Sequence, residues 1–240
     1  MIPAPLHIAG ERLMLDPMGV LAWPARRSLV VSDLHLEKGS HFAARGAFVP
    51  PYDTRETLSK LGLAVRRHRP ARLILLGDSF HDAGGCERMS PADCAALGRI
   101  LASVEETVWV LGNHDPVAPP GLPGLALHLL ADGPLTFRHE ADPRGPRPGA
   151  AREASGEVSG HFHPKATLVT RAGGITRPCF ATDARRVILP AFGAYTGGLD
   201  VRDPALGGLF PRGGRVFLLG TDRLFSVPLP PMRRRAELPA

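Results

Sequence analysis

Cysteine is scarce in this sequence of 240 residues. Only Cys86, Cys94 and Cys179 are present, and no two of them have the spacing of a CxxC pair. An odd number of cysteines without that spacing supports neither a disulfide framework nor a zinc ribbon. It fits a reducing compartment, so we expect a cytoplasmic protein.

Long apolar runs are also missing. No segment approaches the roughly 20 apolar residues that a helix needs to span a bilayer. The N-terminus has no basic region followed by an apolar stretch, which a secretory signal would require. We therefore expect neither a membrane association nor export.

Length and composition predict one globular domain. Hydrophobic residues make up 44% and charged residues 22% of the chain, values that are typical of soluble proteins. A chain of this size is long enough to fill one α/β core. We predict a single domain over residues 1–232, with an exposed Pro-, Gly- and Arg-rich loop at 141–156 and a frayed tail at 233–240.

Acidic residues are outnumbered by basic ones, 23 against 29, which gives a net charge of +6. This balance favours a polyanionic partner such as nucleic acid, although the Arg-rich stretches at 66–69 and 233–235 are equally consistent with solvated faces. Aromatic residues make up only 6% of the chain and offer few stacking platforms for bases. We expect Lys and Arg to grip phosphates, so that binding weakens with salt.

Three strand-like apolar runs each end in polar residues. These runs are residues 27–31, 73–76 and 107–111, with helical patterns at 52–68 and about 90–103 between them. Alternating strands and helices predict an α/β fold with a parallel sheet, in which ligands bind at the carboxyl ends of the strands. Short apolar runs between Gly- and Pro-rich turns over 157–227 predict a second β-rich layer.

The polar residues form five short blocks. They are Asp33-x-His35, Gly77-Asp78, Gly112-Asn113-His114-Asp115, His139 and Gly160-His161-x-His163. Each block alone is weak, because an Asp-x-His pair arises by chance and a Gly-Asp after a strand is more often a turn. Together they are stronger evidence for a functional site, because they occur in a fixed order and several of them follow predicted strands. In an extended segment, residues two apart point to the same side, so both members of each Asp-x-His or His-x-His pair can reach one site.

The residue types indicate a site for two divalent metal ions. Such a site needs a bridging carboxylate together with imidazole, amide and carboxylate ligands from several loops. A mixed nitrogen and oxygen shell suits Mn, Fe or Zn better than Mg or Ca, and the absence of a thiolate argues against an iron–sulfur site. We expect two divalent ions of manganese, iron or zinc.

The five blocks resemble the motif of the calcineurin-like metallophosphoesterase superfamily, which runs D-x-H, G-D, G-N-H-D/E, H and G-H-x-H. The resemblance covers residues 29 to 163 and implies a two-layered β-sandwich flanked by helices. It implies that Asp33, His35, Asp78 and His163 hold the first metal, and that Asp78, Asn113, His139 and His161 hold the second. In this arrangement Asp78 bridges the two ions, and a metal-activated hydroxide attacks the phosphate in line.

The resemblance leaves His114 off the metals. Together with the ligand Asn113, it is the predicted catalytic residue, placed to stabilise the developing negative charge or to protonate the leaving oxygen. His81 lies close in sequence to Asp78 and is a candidate for binding the substrate phosphate, and Lys38 is a weaker one.

Other histidines have competing interpretations. His139 is assigned by elimination: it follows a short strand-like run, whereas His128, its only nearby competitor, lies within an apolar segment where a buried or half-buried histidine is expected. His7, His41 and His68 lie in polar or basic contexts, and we expect them at the surface.

A second resemblance concerns the substrate. Residues 77–81 and 189–199 are similar to those of a bacterial subfamily of these enzymes that is associated with DNA ligase and helicase in repair gene clusters. That subfamily is described as manganese-dependent DNA endonucleases. The resemblance spans about residue 5 to about 220 and implies a nucleic-acid partner, single-stranded DNA, and a functional association with a ligase and a helicase.

Two other readings compete with a nuclease. A small-molecule phosphoesterase acting on nucleotides or cyclic nucleotides would use the same metal chemistry. A non-catalytic scaffold is disfavoured, because every type of ligand and His114 are intact. The oligomeric state has no signature in the sequence.

Overall fold

The structure is a computed structural model that describes residues 1–146, 156–171 and 173–231. The first sheet contains β1 (Ala4–Ile8), β2 (Glu11–Asp16), β3 (Val20–Trp23), β4 (Ser28–Val31), β5 (Arg72–Leu76), β6 (Glu106–Val110) and β7 (Leu125–Leu127), in that spatial order. Strands β1 to β4 pair antiparallel, whereas β4 to β7 are parallel.

The second sheet follows in the chain. Its strands are β8 (Leu129–Asp132), β9 (Leu135–Arg138), β10 (Gly156–Ser159), β11 (Lys165–Thr170), β12 (Gly173–Thr182), β13 (Arg186–Ile188), β14 (Gly214–Leu219) and β15 (Leu224–Leu229). The spatial order is β15-β14-β12-β13-β10-β9-β8, with β11 paired to β12. Strands β9, β10 and β13 are parallel to one another.

The described residues form five α-helices. They are α1 (Lys38–Ala43), α2 (Asp53–His68), α3 (Gly85–Arg88), α4 (Pro91–Leu101) and α5 (Pro204–Gly207), with a 3-10 turn at Pro24–Arg26. Helices α2 and α4 connect the parallel strands β4, β5 and β6 and cover the first sheet, while α5 packs on the second. Within the described ranges, no helix is both long and apolar enough to cross a membrane.

Alternating side chains in the parallel strands build the core. In β4, Leu29 and Val31 pack toward α2 and α4, whereas Val30 points to the second sheet. In register with Val30 lie Ile74 and Val108, which join it in the layer between the sheets. The predicted α/β fold, a two-layered β-sandwich flanked by helices, is confirmed.

The predicted elements around the polar blocks match the structure closely. Strands β4, β5 and β6 and helices α2 and α4 lie where the apolar patterns place them, within a few residues at each end. The loop predicted over 141–156 is described only at its ends, where Ala141, Pro146 and Gly156 are buried. The rest of that loop and the tail at 233–240 lie outside the described residues.

Candidate active site

Loops at the carboxyl ends of five strands carry the predicted site residues. The parallel strands β4, β5 and β6 contribute from the first sheet, as the sequence pattern predicts, and the parallel strands β9 and β10 contribute from the second. Both sheets end at one edge, since Nδ1 of His139 lies 3.2 Å from the carbonyl oxygen of Leu76. The residues are Asp33 and His35 after β4, Asp78 after β5, Asn113 and His114 after β6, His139 after β9, and His161 and His163 after β10.

A first cluster joins Asp33, His35 and His163. Nε2 of His35 lies 3.3 Å from Nε2 of His163, and that nitrogen lies 3.2 Å from Oδ1 of Asp33. Asp33 is fully buried and His35 nearly so. The second carboxylate oxygen of Asp33 accepts a hydrogen bond from the Ser32 hydroxyl at 2.6 Å, which leaves Oδ1 facing the cluster.

A second cluster joins Asp78, His139 and His161, with Asn113 beside it. Nε2 of His139 lies 3.3 Å from Oδ2 of Asp78 and 3.2 Å from Nδ1 of His161. The amide oxygen of Asn113 lies 3.0 Å from both of these imidazole nitrogens. Four side chains from both sheets thus point their donor atoms at one place.

Asp78 stands between the two clusters. Its Oδ2 lies 3.8 Å from Nε2 of His35 in the first cluster and 3.3 Å from Nε2 of His139 in the second. Its Oδ1 is held away by the backbone N–H of His114 at 2.9 Å. One oxygen of this buried carboxylate therefore faces both clusters, as a bridging position requires.

The geometry distinguishes His139 from His128. His139 is buried, and since a carbonyl oxygen only accepts, its Nδ1 carries the proton donated to Leu76; its Nε2 then faces Asp78 and Asn113. Such a backbone hydrogen bond commonly orients a metal-ligating histidine. His128 is exposed, contrary to the expected burial, and is not part of either cluster.

Five of these residues have a strained backbone. Asp33, His35, Asp78, His161 and His163 all have positive φ angles, between 44° and 69°. This left-handed region is unfavourable for residues with a Cβ atom, and side chains held there cluster at functional sites.

Asp115 supports the site without reaching it, a role that the sequence analysis missed. Its two carboxylate oxygens accept hydrogen bonds from the backbone N–H groups of Asp78, Ser79, Phe80 and Gly112 at 2.7 to 3.2 Å. Burial raises the pKa of Asp115 to about 6, while these hydrogen bonds act in the opposite direction. Asp115 thus fixes the turn after β5. Its position as the last residue of the Gly112–Asp115 block is the feature of the sequence that could have predicted this role.

His81 lies on the outer side of His35. Its Nδ1 is 3.2 Å from Nδ1 of His35, and the two rings meet edge to face. Burial, followed by the charge of Lys38, lowers the pKa of His81 to about 4, so its imidazole is neutral. When Nδ1–H of His35 donates to Nδ1 of His81, the remaining proton of His81 sits on Nε2.

His114 stacks on His81, with ring centroids 5.0 Å apart and 23° between the planes. Its Nδ1 lies 2.7 Å from the carbonyl oxygen of His81 and therefore donates to it. Nε2 of His114 is left to hold or release a proton. One ring nitrogen each from His35, His81 and His114 lies within 4.8 Å of the others.

The expected surface position of His41 is wrong. His41 is half-buried on α1, where its ring meets that of His81 edge to face at 4.5 Å and bonds to the carboxylate of Asp82. Asp82 in turn accepts two hydrogen bonds from Arg88, at 2.9 and 2.7 Å. His68 is also half-buried and contacts Asp16 at 3.2 Å, whereas His7 is exposed as predicted.

Charges within the clusters are strongly coupled. Burial lowers the pKa of His35 to about 3. Burial is the largest effect on the pKa of His139 and acts to lower it, but the hydrogen bond to Asp78 and the negative charges of Asp33 and Asp78 together raise the pKa to about 9. Burial is also the largest effect on Asp78 and acts to raise its pKa, but the hydrogen bond and charge of His139, together with the N–H of His114, lower it to about 2. Asp78 is therefore a carboxylate at every physiological pH.

The donor atoms fit divalent metal ions. Asp33, His35 and His163 each offer one atom within 4.8 Å of the others, and so do Asp78, His139 and His161. Ligands bound at ~2.1 Å in tetrahedral or octahedral geometry lie about 3.0 to 3.4 Å apart. The facing imidazole nitrogens, at 3.3 and 3.2 Å, fall in that range. Nitrogen pairs this close repel unless a proton or a cation lies between them.

Comparison with known protein families identifies the family to which a site of this kind belongs. A sequence model of the calcineurin-like phosphoesterase family matches residues 26–188, which include every residue of both clusters. The chain belongs to the calcineurin-like phosphoesterase family. It is a metal-dependent phosphoesterase, because members of this family use divalent metal ions and both clusters suit such ions.

One solved structure is similar to this phosphoesterase over almost its full length. The crystal structure of Pseudomonas putida nuclease MPE matches it with a TM-score of 0.67 and 26% sequence identity, covering 94% of this chain and 100% of the other. Comparison with curated proteins finds no match.

If each cluster holds one metal ion, replacing His139 in the phosphoesterase with alanine is expected to remove the ion of the second cluster. The lost Nε2 faces Asp78 and Asn113, so the second cluster loses a ligand while the first stays intact. Metal content per protein, measured by mass spectrometry after dialysis, checks this expectation. His128→Ala is the matched control and should keep both ions, since His128 is exposed. Equal metal content in both variants would contradict the assignment.

Gly77→Ala is expected to destabilise the phosphoesterase by roughly 2–4 kcal/mol, because it combines backbone strain with overpacking. Gly77 has a φ of 78°, and a Cβ atom there would overlap the ring of His139. Gly98→Ala on α4 is the control, since nothing lies within 4 Å of its Cβ position; it should leave stability equal or raise it by ~0.5–1 kcal/mol. Urea unfolding measures both, and similar midpoints would refute the close packing.

Proposed function

We propose that this phosphoesterase is a nuclease that hydrolyses phosphodiester bonds within single-stranded DNA and acts in DNA repair. The observation that carries the proposal is the similarity to Pseudomonas putida nuclease MPE over 94% of the chain. The net charge of +6 agrees with a polyanionic substrate. The resemblance of residues 77–81 and 189–199 to the ligase-associated subfamily supports a functional association with a DNA ligase and a helicase, in the cytoplasm.

The two clusters would hold two divalent ions, with Asp78 shared between them. Asp33, His35 and His163 complete the first set, and Asn113, His139 and His161 complete the second. Nitrogen and oxygen ligands without a thiolate suit manganese, iron or zinc, and the resemblance to the ligase-associated subfamily puts manganese first. When bound, the ions supply a hydroxide nucleophile at neutral pH and positive charge next to the phosphate oxygens.

The protein side chains supply the remaining chemistry. Nε2 of His114, left free by the bond from Nδ1 to His81, can give a proton to the leaving oxygen. When Nδ1 of His81 accepts from Nδ1–H of His35, the Nε2–H of His81 can donate to a phosphate oxygen. Lys38 lies close enough to His81 to lower its pKa and brings a positive charge to the same wall.

A general acid matters most for a poor leaving group. A nucleotide alkoxide leaves slowly unless it is protonated, whereas a nitrophenolate leaves without help. A histidine off the metals, held by a backbone carbonyl, therefore suits an enzyme whose leaving group is a sugar alkoxide, as in nucleic acid and in nucleotides.

The test compares substrates after metal reconstitution. Protein stripped with a chelator is incubated with manganese and closed circular single-stranded DNA, a duplex, or a set of mononucleotides and cyclic nucleotides. Cutting of the closed circle requires internal cleavage, and we expect it with manganese but not with chelator or in Asp78→Ala. Turnover of nucleotides alone would instead favour the small-molecule phosphoesterase and overturn the proposal.

A further inference from the structure

The loop over residues 44–52, between α1 and α2, presents two aromatic side chains to solvent. Phe48 is 87% exposed and Tyr52 61% exposed. In the part of the chain that the structure describes, the remaining exposed aromatic residue is Phe225, at 49%. Single exposed apolar residues are common and need no explanation. Phe48 and Tyr52 differ from such residues because their loop is attached at both ends to the active site.

The first end of the loop starts at the wall of the active site. Helix α1 places Phe42 against the ring of His81, with centroids 5.8 Å apart. The loop folds back onto this helix, since the N–H groups of Arg45 and Ala47 donate to the carbonyl oxygen of Phe42 at 2.9 and 3.0 Å. The stem of the loop is therefore fixed relative to His81.

The other end returns to the segment that follows His35. The carboxylate of Asp53 accepts from the backbone N–H of Gly39 at 2.9 Å, and the hydroxyl of Thr54 accepts from that of Glu37 at 2.8 Å. Both ends of the loop are thus tied to the chain that leaves the first cluster.

The middle of the loop is tied to a third part of the site. The carbonyl oxygen of Pro50 accepts from the Tyr195 hydroxyl at 2.9 Å. Two residues before Tyr195, the N–H of Gly193 donates to the carbonyl oxygen of Asp33 at 3.1 Å. Pro50 and Pro51 also fix their own φ angles. These contacts hold the backbone of the loop next to the clusters, so the loop need not be repositioned when a ligand binds.

Positive charge accompanies the two rings. Lys38 faces His81 from α1, and Arg45 lies exposed at the start of the loop, bonded to His41. Cations that track a phosphate backbone, next to aromatic rings that stack on bases, are the combination used by proteins that bind single strands. The patch made by Phe48, Val49 and Tyr52 is too small for a stable protein interface, which typically buries about 1,200–2,000 Å².

We propose that Phe48, with Tyr52 from the same loop, stacks on an unpaired base flanking the cleaved phosphate and makes the enzyme select single strands. The inference rests on the proposed nuclease function and adds a specificity site to it. In a duplex each base is already stacked and paired, so its face is not available to Phe48. A composition low in aromatic residues does not exclude stacking when two of them stand on the rim of the site.

The test uses Phe48→Ala, Phe48→Trp and the control Phe225→Ala. For each protein, kcat/KM is measured on a single-stranded oligonucleotide and on a small chromogenic phosphodiester, which has no base. We expect the ratio of the two values to fall about 10-fold in Phe48→Ala, mainly through KM. Tryptophan should restore the ratio, and Phe225→Ala should leave it unchanged.

A second substrate separates stacking from a structural effect. On a strand with abasic sites around the cut, the wild type should fall to the level of Phe48→Ala, and the substitution should have no further effect. The inference would be overturned if Phe48→Ala left the ratio unchanged. It would also be overturned if Phe48→Ala lowered kcat/KM on the abasic strand as much as on the normal strand. Either result would leave the nuclease proposal intact. A wild-type protein that turns over the small diester but cuts no DNA would overturn both.

Discussion

Asp78→Ala is expected to abolish phosphodiester cleavage, with a loss of more than about 10³-fold. This exceeds the 10- to 100-fold that is typical for residues that merely support a ligand. The Asp78 carboxylate faces both clusters, with Oδ2 at 3.8 Å from His35 and 3.3 Å from His139. Its removal takes a ligand from both metal positions and leaves His139 without its charged partner. The same change frees the N–H of His114, which Oδ1 holds at 2.9 Å.

Metal content and rate should fall together in this variant. Mass spectrometry should find at most one ion per protein, against two in the wild type, and circular dichroism should show that the sheets persist. Asp222→Ala is the control, because it removes an exposed carboxylate in the turn between β14 and β15. If Asp78→Ala kept both ions and lost less than tenfold in rate, Asp78 would not be the bridge.

His114→Ala should keep both metal ions and still lose about 10²- to 10³-fold in DNA cleavage, a range within that of general acid catalysis. The side chain lies outside both clusters, and its Nδ1 is occupied by the carbonyl oxygen of His81 at 2.7 Å. Only its Nε2 proton is lost to the reaction, so metal binding should be unaffected.

The leaving group distinguishes the two roles open to His114. If it protonates the leaving oxygen, the loss should be large for DNA and small for a nitrophenyl diester, whose leaving group needs no proton. If it stabilises charge on the phosphate, the cleavage rates of both substrates should fall by the same factor. His128→Ala, at an exposed position, serves as the control. An intact rate on DNA with metal bound would remove His114 from the mechanism.

The sequence predicts much of the site because parallel strands carry it. Asp33, Asp78 and Asn113 each follow an apolar run, and strands joined through helices must end at one edge. The contribution of β9 and β10 could not be predicted in this way, since their short runs do not reveal which strand each pairs with. The sequence therefore assigns His139 only by elimination, whereas in the structure the hydrogen bond to Leu76 defines the orientation of its ring.

Tertiary contacts account for the incorrect predictions of burial for His41 and His128. His41 lies in a polar stretch, and nothing local indicates that α1 turns it onto His81 and Asp82. His128 shows the opposite case: its apolar neighbours suggest burial, but the edge position of β7 and β8 in their sheets leaves it exposed. Sequence neighbours indicate which element a residue belongs to, whereas burial depends on how that element packs.

The positive φ angles of the proposed ligands set stability against activity. Five of them adopt a backbone conformation that costs about 1–2 kcal/mol for each residue with a Cβ atom. Glycine at any of these positions would relieve that cost and delete a donor atom at the same time. Directed evolution toward heat resistance alone would thus favour loss of the centre, and a thermostable variant that keeps its activity must gain its stability elsewhere, such as in the apolar layer between the sheets.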